Sequence, residues 1–126
     1  MTHDIAIVGY GYWGPNLLRT FINIPDCTVR YCCDINEKNL QEVKRRYPHV
    51  LTTTDFEEII SDSNIDGVVL ATPTNSHFLL AQQAINAGKD VLVEKPMSTT
   101  SQEARKLVSL AEKTKRILMV DYVLLF

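Results

Sequence analysis

The sequence is poor in the features that mark membrane-spanning, secreted or disulfide-rich proteins. No apolar run approaches the ~18 residues that a membrane-spanning helix needs. The N-terminal sequence, MTHD, has no basic region of the kind that begins a signal peptide. Only three cysteines occur, Cys27, Cys32 and Cys33, and an odd, crowded set is typical of a reducing compartment rather than of a disulfide framework. We therefore expect a cytoplasmic protein.

An excess of positive charge is also lacking. The 13 Lys and Arg residues are outnumbered by 15 Asp and Glu residues, so the formal net charge is −2. Nucleic acids and anionic membrane surfaces are bound by basic faces, so we expect neither as a partner. The cysteines lack the spacing of a zinc site, and His3 and His49 have no evident acidic or cysteine partner. The sequence thus predicts no metal site.

Short apolar runs alternate along the chain with segments of helical periodicity. The runs at 5–8, 68–71 and 91–93 show no polar alternation, which is typical of strands buried on both faces of a parallel sheet. We predict strands at about 4–9, 27–34, 50–53, 66–71, 90–94 and 117–123, with helices between them. Right-handed crossovers then predict an α/β fold over residues 1–126: a doubly wound, mainly parallel Rossmann sheet of order 3-2-1-4-5-6 with helices on both faces.

Polar residues mark the expected ends of several helices. Asp55 with Glu58, and Thr100 with Glu103, have the spacing of capping boxes and predict the starts of the third and fifth helices. Gly88 predicts a left-handed end for the fourth helix.

The turn after the first predicted strand has the pattern G-x-G-x-x-G. It begins at Gly9 and ends at Gly14, and Asp34 closes the second strand 20 residues later. Gly9 allows the tight turn, Gly11 lets the backbone approach a pyrophosphate, and Gly14 lets the helix pack closely. The following helix offers its N-terminal amides to phosphates. The sequence predicts a dinucleotide site here; the alternative is a glycine-rich turn that binds nothing.

The carboxylate at the end of the second strand indicates which dinucleotide is bound. Asp34 would accept hydrogen bonds from the adenosine ribose hydroxyls and repel a 2′-phosphate, which favours NAD over NADP. Lys38 is close enough in sequence to leave dual use open. The aromatic residues of the loop, Tyr10, Tyr12 and Trp13, either cover the cofactor or substrate or simply pack.

Two further polar segments follow the fourth and fifth predicted strands. They read ATPTNSH, ending at His77, and Glu94-Lys95-Pro96. Because carboxyl ends of parallel strands share one edge of a sheet, both segments should line one crevice with the glycine loop. Lys95 would take the proton of a secondary alcohol or polarise its oxygen. The alternatives are a solvated Lys95 and a His77 that only packs or hydrogen-bonds at the start of its helix.

Together these motifs resemble the Gfo/Idh/MocA family of oxidoreductases over essentially the whole chain. The E-K-P element is the more specific part, and GYWGPNL at 11–17 looks like members that act on sugars or nucleotide-linked sugars. The resemblance implies an NAD(P)-dependent dehydrogenase acting on a sugar, nucleotide-sugar or polyol hydroxyl, with Lys95 as a catalytic residue. It also implies a set of positions around the cofactor: Thr72, Pro73, Asn75, His77, Glu94 and Pro96.

The chain differs from members of this family in its length. Family members carry a second α/β domain that holds most substrate contacts, whereas this chain ends at Phe126. We therefore expect a nicotinamide-dinucleotide-binding domain that is inactive alone, and a homo-oligomer through the edge of the sixth strand and the apolar segment from Val123 to Phe126. The alternative function is a non-catalytic NAD-binding module, or a fragment, that acts only with a partner chain.

The role assigned to Asp34 generates a direct test. We expect Asp34→Ala to weaken NADH binding by ~1.5–3 kcal/mol, because a charged group loses its hydroxyl partners. The same change should narrow the difference in affinity between NADH and NADPH. Equilibrium titration of both nucleotides measures this, and an unchanged NADH affinity would refute the role.

Overall fold

A computed structural model describes residues 2–121 as one parallel sheet with helices on its two faces. The strands are β1 (His3–Val8), β2 (Cys27–Cys33), β3 (Leu51–Thr53), β4 (Gly67–Leu70), β5 (Asp90–Glu94) and β6 (Leu118–Asp121). The helices are α1 (Gly14–Ile22), α2 (Glu37–Arg46), α3 (Phe56–Ile60), α4 (His77–Asn86) and α5 (Ser101–Thr114). The strand order is β3-β2-β1-β4-β5-β6, and every pairing is parallel, so the predicted fold is confirmed.

Alternate residues of each central strand belong to two different cores. In β1, Ala6 and Val8 pack with residues of α3, α4 and α5, whereas Ile7 packs with residues of α1 and α2. The adjacent thiols of β2 divide in the same way, because Cys33 lies in the first core and Cys32 in the second. Burial raises the pKa of both thiols to about 12, so they behave as small apolar side chains. The double-sided cores explain why the strands lack polar alternation.

The helix starts differ in detail from the predicted capping boxes. The Asp55 side chain accepts from the Glu57 amide at 3.0 Å, and its own amide donates to the Thr53 hydroxyl at 3.0 Å. The predicted capping box is therefore wrong in its second bond, because the Asp55 amide donates to Thr53 and not to the Glu58 carboxylate. At α5, the Thr100 hydroxyl accepts from the Glu103 amide at 3.1 Å as predicted.

The second half of that box is also different, since the Glu103 carboxylate accepts from the Thr99 hydroxyl at 2.9 Å. In both boxes a nearby hydroxyl replaces one of the predicted partners. Gly88 has a φ of +83°, as its predicted left-handed role requires.

Strand β6 forms one edge of the sheet in the described part of the chain and pairs with β5. It extends to Asp121, so the end of the predicted sixth strand and the segment from Val123 to Phe126 lie outside the described residues. Met119 is exposed on this edge strand. No helix within residues 2–121 has the length and apolar character to cross a membrane.

A buried lysine fastens the turns at the amino ends of β4 and β5. Lys89 is 4% exposed, and its Nζ donates to the carbonyl oxygens of Asp62 at 2.7 Å and Ile65 at 2.8 Å. These two bonds satisfy carbonyl groups that would otherwise be buried without a partner. Lys89 thus ties the segment after α3 to the strand that carries the E-K-P motif.

We expect Lys89→Met to lower the free energy of unfolding by about 1–3 kcal/mol, because two carbonyl groups lose their donor while most of the apolar stem is kept. Urea denaturation followed by circular dichroism measures the loss. Lys106→Met, at an exposed position of α5, serves as the control and should change stability little. Equal stability of Lys89→Met and the control would contradict the structural role of this side chain.

Candidate functional site

A cavity of about 770 Å³ opens at the carboxyl edge of the sheet. The glycine loop, the end of β2 and the segments after β4 and β5 surround it, as the shared edge of parallel strands requires. The structure brings together at the cavity most of the residues predicted from the sequence: Gly9, Gly11, Tyr12, Trp13, Asp34, Thr72, Pro73, Asn75, His77, Glu94 and Lys95. Two of the predicted residues, Gly14 and Pro96, do not line the cavity, although their chain neighbours Trp13 and Lys95 do.

Each glycine of the loop has a distinct steric environment. Gly9 has a φ of +100°, and a Cβ there would lie 2.7 Å from the carbonyl carbon of Ala71. A Cβ on Gly14 would collide with the Gly9 carbonyl oxygen, so Gly14 brings α1 close to the turn itself. A Cβ on Gly11 would meet no atom within 4 Å. The fold therefore needs the first and third glycines, whereas the second borders open space that a ligand can fill.

The start of α1 is open to an anion. Trp13 is the N-cap residue and makes no side-chain cap, and the first turn contains Pro15 and no acidic residue. The amides of a helix start carry a partial positive charge, so they attract anionic oxygens when no carboxylate occupies them. The start of α1 beside Gly11 therefore has the chemistry of a phosphate site.

Tyr12 and Trp13 project from this loop. Tyr12 is 86% exposed, and its ring meets that of Trp13 edge to face at 5.2 Å between centroids. Both line the cavity, whereas Tyr10 is buried in the core formed with α1 and α2. Simple packing therefore describes Tyr10, and the other two aromatic residues are available to a ligand.

Asp34 has a structural task that the sequence did not reveal. Its Oδ2 accepts from the Tyr10 amide at 2.7 Å and from Asn39 Nδ2 at 3.2 Å, and its Oδ1 accepts from the Asn36 amide at 2.7 Å. The carboxylate thus joins the glycine loop to the start of α2 while also lining the cavity. A ribose hydroxyl bound here would add to hydrogen bonds that already orient the carboxylate.

His77 links the two segments that follow β4 and β5. It is 1% exposed, its Nε2 lies 2.7 Å from the Thr72 carbonyl oxygen, and its Nδ1 lies 2.9 Å from the Pro96 carbonyl oxygen. The Ser76 hydroxyl donates to the Thr72 hydroxyl oxygen at 2.7 Å. The ring therefore does hydrogen-bond at the start of α4, and through Pro96 it positions the segment that carries Lys95.

Lys95 and Glu94 lie in contrasting environments at the same strand end. Lys95 is exposed at the cavity, whereas Glu94 is 7% exposed and its Oε1 has no hydrogen-bond partner among the described residues. Burial raises the pKa of Glu94 to about 7, and a hydrogen bond and repulsion from Asp121 add to the effect, which Lys95 opposes. Asp121 was missed by the sequence reasoning, although it closes β6 as Glu94 closes β5.

Several other cavity residues were also missed. Ile35 directly follows Asp34, lines the cavity and is 93% exposed, an unusual position for a large apolar side chain. Phe56 and Leu80 add apolar surface, and Asn39 and Thr54 add polar groups. The exposed Ile35 was detectable as an apolar residue after the predicted end of a strand. Among residues 2–121, no group of three or more His, Cys, Asp or Glu residues is placed to hold a metal ion.

Known proteins that resemble this chain have the fold and the type of site that its sheet order and glycine loop indicate. Residues 3–122 match the model of an oxidoreductase family with an NAD-binding Rossmann fold, GFO_IDH_MocA. The chain belongs to the Gfo/Idh/MocA family. The resemblance inferred from the glycine loop, Asp34, the segment ending at His77 and E-K-P is therefore confirmed.

Individual relatives match the chain over most of its own length. The uncharacterized oxidoreductase YdgJ of Escherichia coli K12 is 33% identical over 116 residues, which are 92% of this chain and 33% of YdgJ. The scyllo-inositol 2-dehydrogenase (NADP(+)) IolW of Bacillus subtilis 168 is 31% identical over 119 residues, which are 94% of this chain and 33% of IolW. The crystal structure of GenD2 from gentamicin A biosynthesis, in complex with NAD, has a TM-score of 0.90 at 30% identity. The match covers 94% of this chain and 34% of GenD2. The chain spans about a third of the length of these two curated relatives.

The raised pKa of Glu94 predicts a pH dependence of stability. Its folded value of about 7 exceeds its ordinary value of 4.5, so the folded state holds a proton that the unfolded chain releases between these values. The stabilisation from this group is fully present below about pH 4.5 and is lost as the pH rises to about 7. We expect Glu94→Gln to gain stability relative to the wild type between pH 5 and pH 7.5 in urea denaturation.

Glu112→Gln, at an exposed position of α5, is the matched control because it removes the same charge from a solvated site. Its stability difference from the wild type should change little over the same pH range. A parallel pH course for the wild type and Glu94→Gln would contradict the assignment.

Proposed function

We propose that this chain is the NAD(P)-binding domain of a dehydrogenase that acts on a hydroxyl group of a sugar, nucleotide sugar or polyol. The observation that carries the proposal is the single cavity shared by the open side of Gly11, the uncapped start of α1, Asp34 and Lys95. Gly11, the start of α1 and Asp34 bind a dinucleotide, and Lys95 accepts or donates a proton. The chain's membership of an NAD-binding oxidoreductase family supports the same conclusion.

The cavity residues fit a nicotinamide dinucleotide. The volume of the cavity falls in the ~300–1,000 Å³ range of ligand sites. The amides at the start of α1 bind the pyrophosphate beside Gly11, and Asp34 binds the adenosine ribose. The exposed Ile35 offers an apolar face to the adenine ring. The remaining predicted contacts that line the cavity lie at the end of β5 and after β4, and they surround the other end of the cofactor: Thr72, Pro73, Asn75, His77 and Glu94.

Charge favours NAD over NADP. The Asp34 carboxylate would lie against a 2′-phosphate and repel it. Lys38 is exposed in the first turn of α2 and is the cation that would support a secondary use of NADP. The matched relatives include one named for NADP(+) and one crystallised with NAD, so the choice rests on the carboxylate.

Lys95 is proposed to carry the acid–base part of the reaction. A bound nicotinamide supplies the hydride acceptor for alcohol oxidation, and the Lys95 amine takes the hydroxyl proton. In the reverse direction the Lys95 ammonium returns the proton to the oxygen. His77 contributes by holding the Pro96 carbonyl, which sets the course of the backbone beside Lys95.

A substrate groove is proposed to come from a second domain of the kind found in family members. Lys95 is exposed on this chain, so further protein is needed to exclude water and to position a substrate. We therefore expect little turnover by the chain alone. The same exposure favours a second candidate, a non-catalytic NAD-binding module or fragment that acts only with a partner chain. A homo-oligomer through the β6 edge and a cytoplasmic location remain predictions.

The nucleotide site is tested by titrating NADH and NADPH while following the fluorescence of Trp13, the only tryptophan of the chain. We expect saturable quenching that is tighter for NADH, because Trp13 lines the cavity. Gly11→Val should abolish quenching with an unchanged unfolding midpoint, since a Cβ at this position meets no protein atom within 4 Å and extends into the space that a ligand would fill. Ala87→Val, at an exposed site after α4, is the control for added volume.

Normal NADH affinity in Gly11→Val would overturn the phosphate-loop assignment. Robust NADH production from NAD with a panel of sugars, nucleotide sugars and inositols would contradict the expected inactivity. Tight nucleotide binding with turnover that appears only when a partner chain is added would favour the second candidate.

A further inference from the structure

Two carboxyl groups from different strands meet at the cavity end of the sheet. Glu94 is the last residue of β5, Asp121 is the last residue of β6, and they are register partners in the parallel pairing. Register partners on adjacent strands place their side chains on the same face of a sheet. Glu94 is 7% exposed and Asp121 is half-buried, so water screens their repulsion poorly.

One carboxyl oxygen of Glu94 makes no hydrogen bond within the described part of the chain. That atom, Oε1, is buried and has no hydrogen-bond partner among residues 2–121, although Glu94 lines the cavity. A buried polar atom without a partner is costly, and such atoms in native proteins are few. The Glu94 carboxyl group therefore lies beside the cavity with little solvation, where it is sensitive to a charge that a ligand brings in.

Two carboxyl groups this close do not ionise independently. One proton held between them relieves the repulsion, so the pair carries a charge of −1 while it holds that one proton and −2 once the proton is lost. The raised pKa of Glu94, about 7, places this second ionisation near neutrality. Among the described residues, the other charged group that acts on Glu94 is Lys95, which follows it in the chain and lowers its pKa.

We propose that the Glu94–Asp121 pair determines which redox state of the nicotinamide this site prefers, binding the oxidised ring more tightly once both carboxyl groups are ionised. The inference rests on the proposed function, which places the nicotinamide end of the cofactor beside Lys95 and Glu94. The oxidised ring carries a positive charge and the reduced ring is neutral. The doubly ionised pair therefore attracts NAD⁺ and has little effect on NADH.

Linkage gives this preference a direction with pH. Because NAD⁺ binds more tightly to the ionised pair, its binding expels a proton near neutral pH, whereas NADH binding does not. Raising the pH shifts the site toward NAD⁺, the form required for oxidation of an alcohol. Glu94 and Asp121 are specificity-determining residues in this scheme, and Lys95 retains the proton-transfer role.

The test is calorimetric titration of the chain with NAD⁺ and with NADH at pH 6.0, 7.0 and 8.5. We expect the ratio of Kd for NADH to Kd for NAD⁺ to rise about three- to tenfold across this range, as expected for one added charge near the ring. Repeating the NAD⁺ titration at pH 7.0 in buffers of different ionisation enthalpy measures the proton released. Glu94→Gln and Asp121→Asn should each flatten the ratio and abolish the proton release.

Glu112→Gln is again the matched control, because it removes one negative charge from the C-terminal part of α5, and its ratio should follow that of the wild type. Wild-type binding of both nucleotides with a flat ratio would overturn this inference and leave the proposed function intact. An undiminished rise in Glu94→Gln would show that the effect does not come from the pair and would also overturn the inference. Failure of the wild type to bind either nucleotide would overturn the proposed function and this inference together.

Discussion

The close approach of the glycine loop to the end of β4 is the constraint on which the site depends. Gly9 turns with a φ of +100° directly against the Ala71 backbone, and Gly14 lies against the Gly9 carbonyl. No side chain fits at either place, so the chain can pass from β1 into α1 only by this tight path. The path leaves the start of α1 and the free side of Gly11 facing the cavity. The same contact brings the segment after β4 to the opposite wall.

Hydrogen bonds then fix the walls of the cavity relative to one another. Asp34 ties the end of β2 to the Tyr10 amide, and His77 bridges the Thr72 and Pro96 carbonyl oxygens. These side chains lie at the cavity and also hold the backbone that forms it. Variants of either residue will therefore combine structural and binding effects. Gly11→Val separates the two more cleanly, because Gly11 borders open space.

Charge is distributed unevenly around this cavity. The positive end of α1 and Lys95 attract anionic or oxygen-bearing groups, whereas Asp34 and the Glu94–Asp121 pair attract hydroxyl groups and cationic rings. A dinucleotide presents groups of each kind. The match between the charges on the walls and the parts of the cofactor supports a nicotinamide dinucleotide over a simple phosphate ligand.

The sequence by itself determined the sheet order, the glycine loop and the family, because strand periodicity and the spacing of Gly9, Gly11, Gly14 and Asp34 are local properties of the chain. It also indicated that the segments ending at His77 and Pro96 would share one edge. Only the tertiary structure decided what those residues contact. The pairing of Glu94 with Asp121 and the hydrogen bond from the Tyr10 amide to Asp34 depend on cross-strand register and burial. Those properties arise from residues distant in sequence, so no local pattern encodes them.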